Sequence, residues 1–231
     1  MTDLMVIVPS RGRPARAAEL CEAFEATCTN DTKLVFVVDD DDPDVVRYKG
    51  IVDGDYATVI TSASRNMVEA LNFGARVKIG AFAVGFMGDD HRPRTIGWDG
   101  QYLTALHEMG TGIVFGDDLL QSEKLPTQCA LTSDIIRTLG YMAPPELHHM
   151  YVDNFWRDLG EAGGCIRYLP DVIVEHLHPA AGKALWDDGY RRVNNPTRYA
   201  ADGAAYGAYR MSGALDADVA KVRALREGAT P

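Results

Sequence analysis

The sequence predicts an α/β protein in which a mostly parallel central sheet is flanked by helices, as a single domain with a C-terminal appendage. Short apolar runs rich in β-forming residues recur along the first half, and stretches with helical periodicity separate them. Alternation of this kind is typical of a parallel sheet. The chain of 231 residues, 46% of them hydrophobic, is long enough to bury one large core.

Four runs in the first half are predicted strands: residues 4–8, 33–38, 57–60 and 81–87. The second of them is apolar throughout, as expected for a strand covered on both faces. Two helices fill the intervals between the strands. Pro14 suits the first turn of a helix that continues to about residue 28, and Ser64 suits the N-cap of a helix that continues to about residue 78.

The second half of the sequence shows a less regular succession of predicted helices and strands. Its predicted helices cover residues 98–109, 133–139 and 151–162. Its predicted strands cover residues 112–115, 128–131, 165–169 and 172–177. From about residue 180 onward Gly, Ala, Tyr and Arg dominate and the apolar periodicity fades. We therefore expect residues 181–231 to form a peripheral extension of helices and loops.

Composition limits the partners and the compartment. With 33 acidic and 23 basic side chains the net charge is −10, which weakens non-specific attraction to nucleic acid. The four cysteines show no CxxC spacing and are expected to be structural thiols. No apolar stretch approaches the roughly 18–20 residues that span a bilayer, and the N-terminus lacks the basic region of a signal peptide. We expect a soluble, cytoplasmic protein.

Polar clusters follow three of the predicted strands, at the point where each strand ends. They are residues 10–13, 39–42 and 89–91. In parallel α/β sheets, ligands bind beyond the carboxyl ends of the strands. The sequence therefore predicts one binding site to which all three clusters contribute.

Two adjacent carboxylates, Asp89 and Asp90, close the fourth strand. They repel each other, and a divalent cation that carries a diphosphate would offset this repulsion. Oxygen ligands suit Mg²⁺ or Mn²⁺. The alternative is a solvated acidic turn. Downstream, His176 and His178 lie two apart on an extended segment and point the same way. A histidine added to carboxylates favours Mn²⁺; which of the two binds stays open, as does a purely structural role for both.

Five further polar residues are candidates for substrate binding or catalysis. Arg11, Arg13 and Arg65 follow strand ends or begin a helix, and guanidinium groups pair well with phosphates. Asp39 is the first residue past the second strand and can accept hydrogen bonds from a base or a ribose. Asp153 lies in the first turn of a helix, where it either stabilises the helix dipole or serves as a general base.

Together these motifs resemble a nucleotide-sugar glycosyltransferase with the GT-A fold, similar to glycosyltransferase family 2. The resemblance covers about residues 4–180. It rests on VIVPSRGRP, the strand-end Asp39, SRNMVEALNFGA, FAVGFMGDDH, YVDNFWRDLGEAGG and LPDVIVEHLHP. It implies a nucleotide-binding half of about residues 1–95 and an acceptor-binding, catalytic half of residues 96–180, followed by the extension.

The resemblance also implies roles for individual residues. In such enzymes Asp39 would bind the base, Asp89 the ribose and Asp90 the cation, while Asp153 would be the catalytic base of an inverting reaction. His176 or His178 would complete the metal site. The implied nucleotide-sugar contacts are Pro9, Arg11, Arg13, Asp39, Arg65 and Asp89. Trp98 and Asp99 are candidates for the acceptor or sugar pocket, and a place in the core is the alternative for Trp98. The motif reads GDDH, where the family usually has DxD, so Asp89 and His91 stay open as alternative metal ligands.

The expected activity is therefore transfer of a sugar from a nucleoside diphosphate sugar, with UDP as the expected nucleotide, to an acceptor hydroxyl. The cofactor is Mn²⁺ or Mg²⁺. A nucleic acid acceptor is not favoured, and the sequence leaves the oligomeric state open. Three alternatives remain at this point: a nucleotidyltransferase of related fold, a non-catalytic module that binds a nucleotide or glycan, and a metal-dependent hydrolase.

Overall fold

A computed structural model describes residues 2–51, 56–77 and 80–228. In these residues eight strands form one sheet in the order β3-β2-β1-β4-β7-β6-β8-β5. The strands are β1 (Leu4–Ser10), β2 (Thr32–Asp39), β3 (Ala57–Ser62), β4 (Ala83–Phe86), β5 (His91–Pro93), β6 (Ile113–Asp117), β7 (Cys129–Thr132) and β8 (Ile166–His176).

Helices cover both faces of this sheet, and nine α-helices lie within the described residues. They are α1 (Pro14–Thr27), α2 (Val45–Ile51), α3 (Met67–Val77), α4 (Trp98–Met109), α5 (Ser133–Leu139), α6 (Val152–Gly163), α7 (Asp188–Val193), α8 (Pro196–Met211) and α9 (Ala214–Arg226). The α/β architecture predicted from the alternation of strands and helices is confirmed.

The sheet is parallel in its first half and mixed in its second. Strands β3, β2, β1 and β4 are all parallel neighbours, so their carboxyl ends meet at one edge. The pairs β4–β7, β6–β7 and β5–β8 are antiparallel. The alternation along β1 shows how both faces are covered, because Ile7 packs into one apolar core and Val6 into the other.

One long strand, β8, replaces the two strands predicted at residues 165–169 and 172–177. Proline at position 170 lies between the two predicted strands. In the structure the register against β6 shifts, because Gly116 pairs with Leu169 and the next residue, Asp117, pairs with Ile173. An irregularity of this kind accommodates a proline within a strand. The helix expected to reach residue 78 ends at Val77, and residue 78 lies outside the described residues.

The C-terminal tail belongs to the main core, which corrects the expectation that it is peripheral. Val219 and Val222 of α9 are buried against α5 and α6 in the larger apolar cluster. Tyr206 and Tyr209 of α8 bury their rings in the same cluster, and the hydroxyl of Tyr209 donates to the buried Asp218. Tyrosine rings supply apolar area with a polar tip, so hydrophobic periodicity did not reveal this packing.

The helices of the described residues are shorter than the roughly 20 residues that span a bilayer. The longest of them, α8, has 16 residues. None is both long and apolar enough to cross a bilayer.

Candidate active site

A cavity of about 640 Å³ opens beyond the carboxyl ends of β1, β2 and β4. Ten of the twelve residues predicted for the site line it: Pro9, Arg11, Arg13, Asp39, Arg65, Asp89, Asp90, Asp153, His176 and His178. The parallel half of the sheet therefore brings together residues that are far apart in the sequence, as the rule for strand ends predicts.

The turn after β4 presents Asp89 to β1. Its carboxylate accepts a hydrogen bond from Ser10 Oγ at 2.6 Å and one from Arg13 Nη1 at 3.2 Å. Burial and the adjacent Asp90 raise the pKa of Asp89 above its ordinary value, in spite of the arginine. Gly88 permits the turn, because a Cβ there would lie 2.5 Å from Asp90 Oδ1.

Two histidines face Asp90. His91 Nδ1 lies 3.4 Å from Oδ1, and His176 Nε2 lies 3.4 Å from Oδ2. The antiparallel pair β5–β8 places the two histidines directly opposite each other, and their rings stack with centroids 4.2 Å apart. Burial by itself would raise the pKa of Asp90, but the two histidines outweigh it and hold that pKa well below its ordinary value.

Asp90, His91 and His176 fit a divalent cation. Each offers one ligand atom, and these atoms lie within 4.8 Å of one another. Within the described residues His91 Nε2 and His176 Nδ1 are buried without a hydrogen-bond partner, although buried polar atoms normally have one. One oxygen and two nitrogen donors suit Mn²⁺ better than Mg²⁺. His178 does not belong to this trio of closely spaced ligand atoms; its Nδ1 accepts the backbone N–H of Ala180 at 3.1 Å.

Asp118 lies next to the trio, on the Nδ1 side of His176. Its carboxylate accepts backbone N–H groups of residues 120–122 at 2.6–2.9 Å and the hydroxyl of Thr127 at 2.7 Å. Its other contact is His176, whose Nδ1 lies 3.9 Å from Oδ2. Sequence reasoning missed this role for Asp118. The signal was present, because the acidic residues 117–118 follow a strand just as residues 89–90 do.

Arginines and acids form pairs along the side of the cavity near β1 and β2. Arg11 Nη1 donates to Asp39 Oδ2 at 2.9 Å and also contacts Asp41. Arg65 Nη1 lies 3.4 Å from Asp40 Oδ1, and both side chains are exposed. The guanidinium groups therefore stand at the mouth of the cavity with solvent access, where an anionic ligand can reach them.

Asp153 lies in the first turn of α6, on the cavity wall. Its Oδ1 accepts the backbone N–H of Asn154 at 2.9 Å, and within the described residues no basic side chain lies within 4 Å of it. Burial raises the pKa of Asp153. The loop before it is fixed by the buried Asp202 of α8, which accepts the N–H groups of His149 and Met150 at 3.0 and 2.7 Å.

Trp98 and Asp99 do not line the cavity, which corrects their predicted place in the acceptor pocket. Both are fully buried. Asp99 accepts backbone N–H groups of Thr29 and Asn30 and the hydroxyl of Thr32. Thr32 begins β2, so these residues lie at the edge of the sheet opposite to the cavity. Their closeness to the acidic motif in the sequence suggested a place in the cavity, but β5 separates them from the motif and leads the chain away from the cavity.

Tyr190 of the tail lines the cavity, and sequence reasoning missed it as well. Its hydroxyl donates to Asp90 Oδ2 at 2.8 Å. No feature of the sequence around residue 190 indicated a site, because the residue belongs to a helix of six residues in a segment without apolar periodicity.

Fold and cavity together define a GT-A-like fold of the kind found in nucleotide-sugar glycosyltransferases. No family model matches the sequence, and no curated protein matches it. A mannosyltransferase from Pyrobaculum calidifontis, solved with GDP-Man and Mn²⁺, is similar in structure, with a TM-score of 0.63 and 15% identity over 96% of this chain and 79% of that one.

S. aureus TarS is a second structural neighbour. Its residues 1–349 give a TM-score of 0.57 and 15% identity over 74% of this chain, and the complex of that fragment with UDP-GlcNAc gives 0.57 and 13%. The chain spans 59% of the TarS fragment it matches. These similarities confirm the predicted resemblance at the level of the fold, and membership of family 2 stays a prediction.

Proposed function

We propose that this protein is a metal-dependent glycosyltransferase that moves a sugar from a nucleoside diphosphate sugar to an acceptor hydroxyl. One observation carries the proposal: the cation-binding trio Asp90, His91 and His176 lies in the same cavity as the donor-side Asp89 and the isolated carboxylate of Asp153. A cation, a donor and a base are the three requirements of such a transfer.

The cation would be held by Asp90, His176 and His91, with Mn²⁺ favoured by the nitrogen donors. When bound, it neutralises the negative charge that develops on the departing nucleoside diphosphate. The arrangement of the possible ligands supports a choice between alternatives that the sequence left open. It favours His176 over His178, and it gives His91 the additional ligand position.

The donor would occupy the side of the cavity formed by β1 and β2. Asp39 would accept hydrogen bonds from the base and Asp89 from the ribose, while Arg11, Arg13 and Arg65 would face the phosphates. Arg11 and Asp39 are paired before a donor binds, so the donor would replace one ion pair by two new polar contacts. We propose a UDP-sugar as donor. The neighbours hold GDP-Man and UDP-GlcNAc, so a GDP-sugar is the comparison to make.

The acceptor would approach Asp153. Its carboxylate, with a raised pKa, would take the proton of the acceptor hydroxyl as that oxygen attacks the sugar from the face opposite to the leaving group, which inverts the anomeric centre. Tyr151 and the half-exposed Tyr199 line the cavity on this side, and their rings meet edge to face at 5.4 Å. Aromatic faces of this kind provide apolar contact for a ligand at low entropic cost.

A donor-cleavage assay tests the proposal. The protein is incubated with UDP- and GDP-sugars in Mn²⁺, Mg²⁺ or EDTA, and the released nucleotide is identified. We expect nucleoside diphosphate to be released only with a cation, and Asp90→Asn to abolish the release and weaken nucleotide binding. Asp216→Asn, an exposed acid on α9, is the matched control and should leave activity unchanged.

Other products would point to the alternatives. Release of pyrophosphate from a nucleoside triphosphate would indicate a nucleotidyltransferase, and nucleotide binding without any cleavage would indicate a binding module. Donor cleavage that is equally fast in EDTA would contradict the proposed role of the cation.

A further inference from the structure

Tyr190 contacts the cation site from the C-terminal tail. Its hydroxyl donates to Asp90 Oδ2 at 2.8 Å, and the same oxygen lies 3.4 Å from His176 Nε2. Tyr190 is only 3% exposed, so solvent competes little for this hydrogen bond. A carboxylate oxygen has two lone-pair positions. Oδ2 can therefore accept this bond and still face an ion.

The side chain of Tyr190 is held in place by its neighbours. Arg13 Cζ lies 3.9 Å from the centroid of its ring, a favourable cation–π distance. His178 and Trp186 meet the ring edge to face at 5.3 and 6.2 Å. Asp187 holds both Tyr190 and Arg13 in place. Its Oδ1 accepts hydrogen bonds from the backbone N–H of Tyr190 at 2.8 Å and from Arg13 Nη2 at 2.6 Å.

The guanidinium of Arg13, which contacts the ring of Tyr190, also binds Asp89, the acid adjacent to Asp90. Arg13 Nη1 donates to Asp89 at 3.2 Å while its Nη2 binds Asp187. Asp89 and Asp90 are thus each held by a contact that involves the tail, Asp89 through Arg13 and Asp90 through Tyr190. The tail and the acidic turn after β4 form one connected polar unit.

We propose that Tyr190 is a positioning residue of the cation site: its hydrogen bond fixes the carboxylate of Asp90 for binding, so that the affinity for Mn²⁺ depends on the C-terminal tail. The inference rests on the proposed function, because it requires that Asp90 bind a cation. Hydrogen bonds to a ligating group orient it, and losing one typically lowers metal affinity about 10–100-fold.

The variant Tyr190→Phe tests this, because it keeps the ring and removes only the hydroxyl. We would measure Mn²⁺ binding to the full chain by electron paramagnetic resonance of the free ion, without nucleotide or acceptor. We expect the Kd to rise about tenfold. The control is Tyr206→Phe, the same substitution in the same tail, whose hydroxyl donates to Asp158 at 2.7 Å. Its Kd for Mn²⁺ should equal that of the wild type.

A second variant keeps the test decisive if Tyr190→Phe does not fold. Asp187→Asn weakens the contact to Arg13 and should also raise the Kd for Mn²⁺, by a smaller factor. A Kd that is unchanged or lower in Tyr190→Phe, or unchanged in Asp187→Asn where only that variant folds, overturns the inference and leaves the proposed function intact. Failure of the wild type itself to bind Mn²⁺ would instead remove both.

Discussion

Three acids of the cavity differ in their surroundings, and these differences agree with the roles proposed for them. Asp90 keeps a low pKa because two histidines face it, whereas burial and a like charge raise the pKa of Asp89. Burial raises the pKa of Asp153 and outweighs the opposing effect of the positive charges of Arg157 and His176. A low pKa suits a metal ligand, and a carboxylate that binds protons more readily suits a general base.

The isolation of Asp153 leads to a prediction about catalysis. Asp153→Asn removes the base and keeps the size of the side chain, so we expect the rate of transfer to fall about 10²–10⁴-fold. The Kd of UDP or GDP in the presence of Mn²⁺, measured by calorimetry, should change by about a factor of two at most, which is far less than the expected loss of rate. A variant that retains full transfer activity would exclude Asp153 as the base.

The raised pKa of Asp153 also predicts the pH dependence. The base must be deprotonated to act, so kcat/KM should fall as the pH drops through its pKa. Because burial raises that pKa, the fall should begin at a higher pH than it would for an ordinary carboxylate. A pH profile of kcat/KM at saturating Mn²⁺ provides the test, and an acid limb at or below the pKa of a free aspartate would contradict it.

Most of the site residues could be predicted from the sequence because one rule places them. Asp39 ends one strand of the parallel half, Asp89 and Asp90 follow another, and the carboxyl ends of such strands meet. Asp118 follows a strand in the mixed half, where the rule gives no direction. Tyr190 reaches the site only through tertiary packing, which no local pattern encodes.

At the scale of elements, the site depends on how closely α6 packs on β8, since α6 carries Asp153 and β8 carries His176. Gly160 makes this approach possible. A Cβ at that position would lie 2.6 Å from the Cβ of Ile166. This contact holds the end of α6 close to the start of β8, the two elements that carry the proposed base and the proposed metal ligand.

Gly160→Ala should therefore destabilise the protein. The added methyl group overpacks the contact between helix and strand, which typically costs about 1–3 kcal/mol. Urea unfolding followed by circular dichroism measures the change. The control is Gly207→Ala in α8, where a Cβ would meet no atom within 4 Å; there the better helix propensity of alanine should stabilise the fold by about 0.5–1 kcal/mol. Equal stability of both variants would contradict the packing argument.

At the scale of the whole molecule, the boundary predicted at residue 180 does not coincide with a break in the core. Strand and helix order up to that point followed from periodicity of 2 and 3.6 residues. The tail lacks such a pattern, yet α8 holds the loop before Asp153 through Asp202, and α9 covers α5 and α6. Tyrosine rings and two buried acids, Asp202 and Asp218, form these contacts, and their partners lie elsewhere in the chain.

Truncation after residue 180 tests this view of the tail. The shortened chain would expose the core around Leu159 and Cys165, both fully buried in the complete protein. We expect it to be insoluble or to lack cooperative thermal unfolding, as measured by size exclusion and circular dichroism. A monomeric, cooperatively unfolding fragment of residues 1–180 would show that the tail is a separate appendage after all.

The pairing of His91 with His176 also has a consequence for folding. An ion bound by both histidines would link β5 and β8, which are far apart in the chain, as a reversible cross-link does. Because an unfolded chain does not bring these segments together, mass action should stabilise the native form by about 2.7 kcal/mol at an ion concentration one hundred times the Kd. A thermal melt with increasing Mn²⁺, and no substrate at all, should therefore shift steadily to higher temperature.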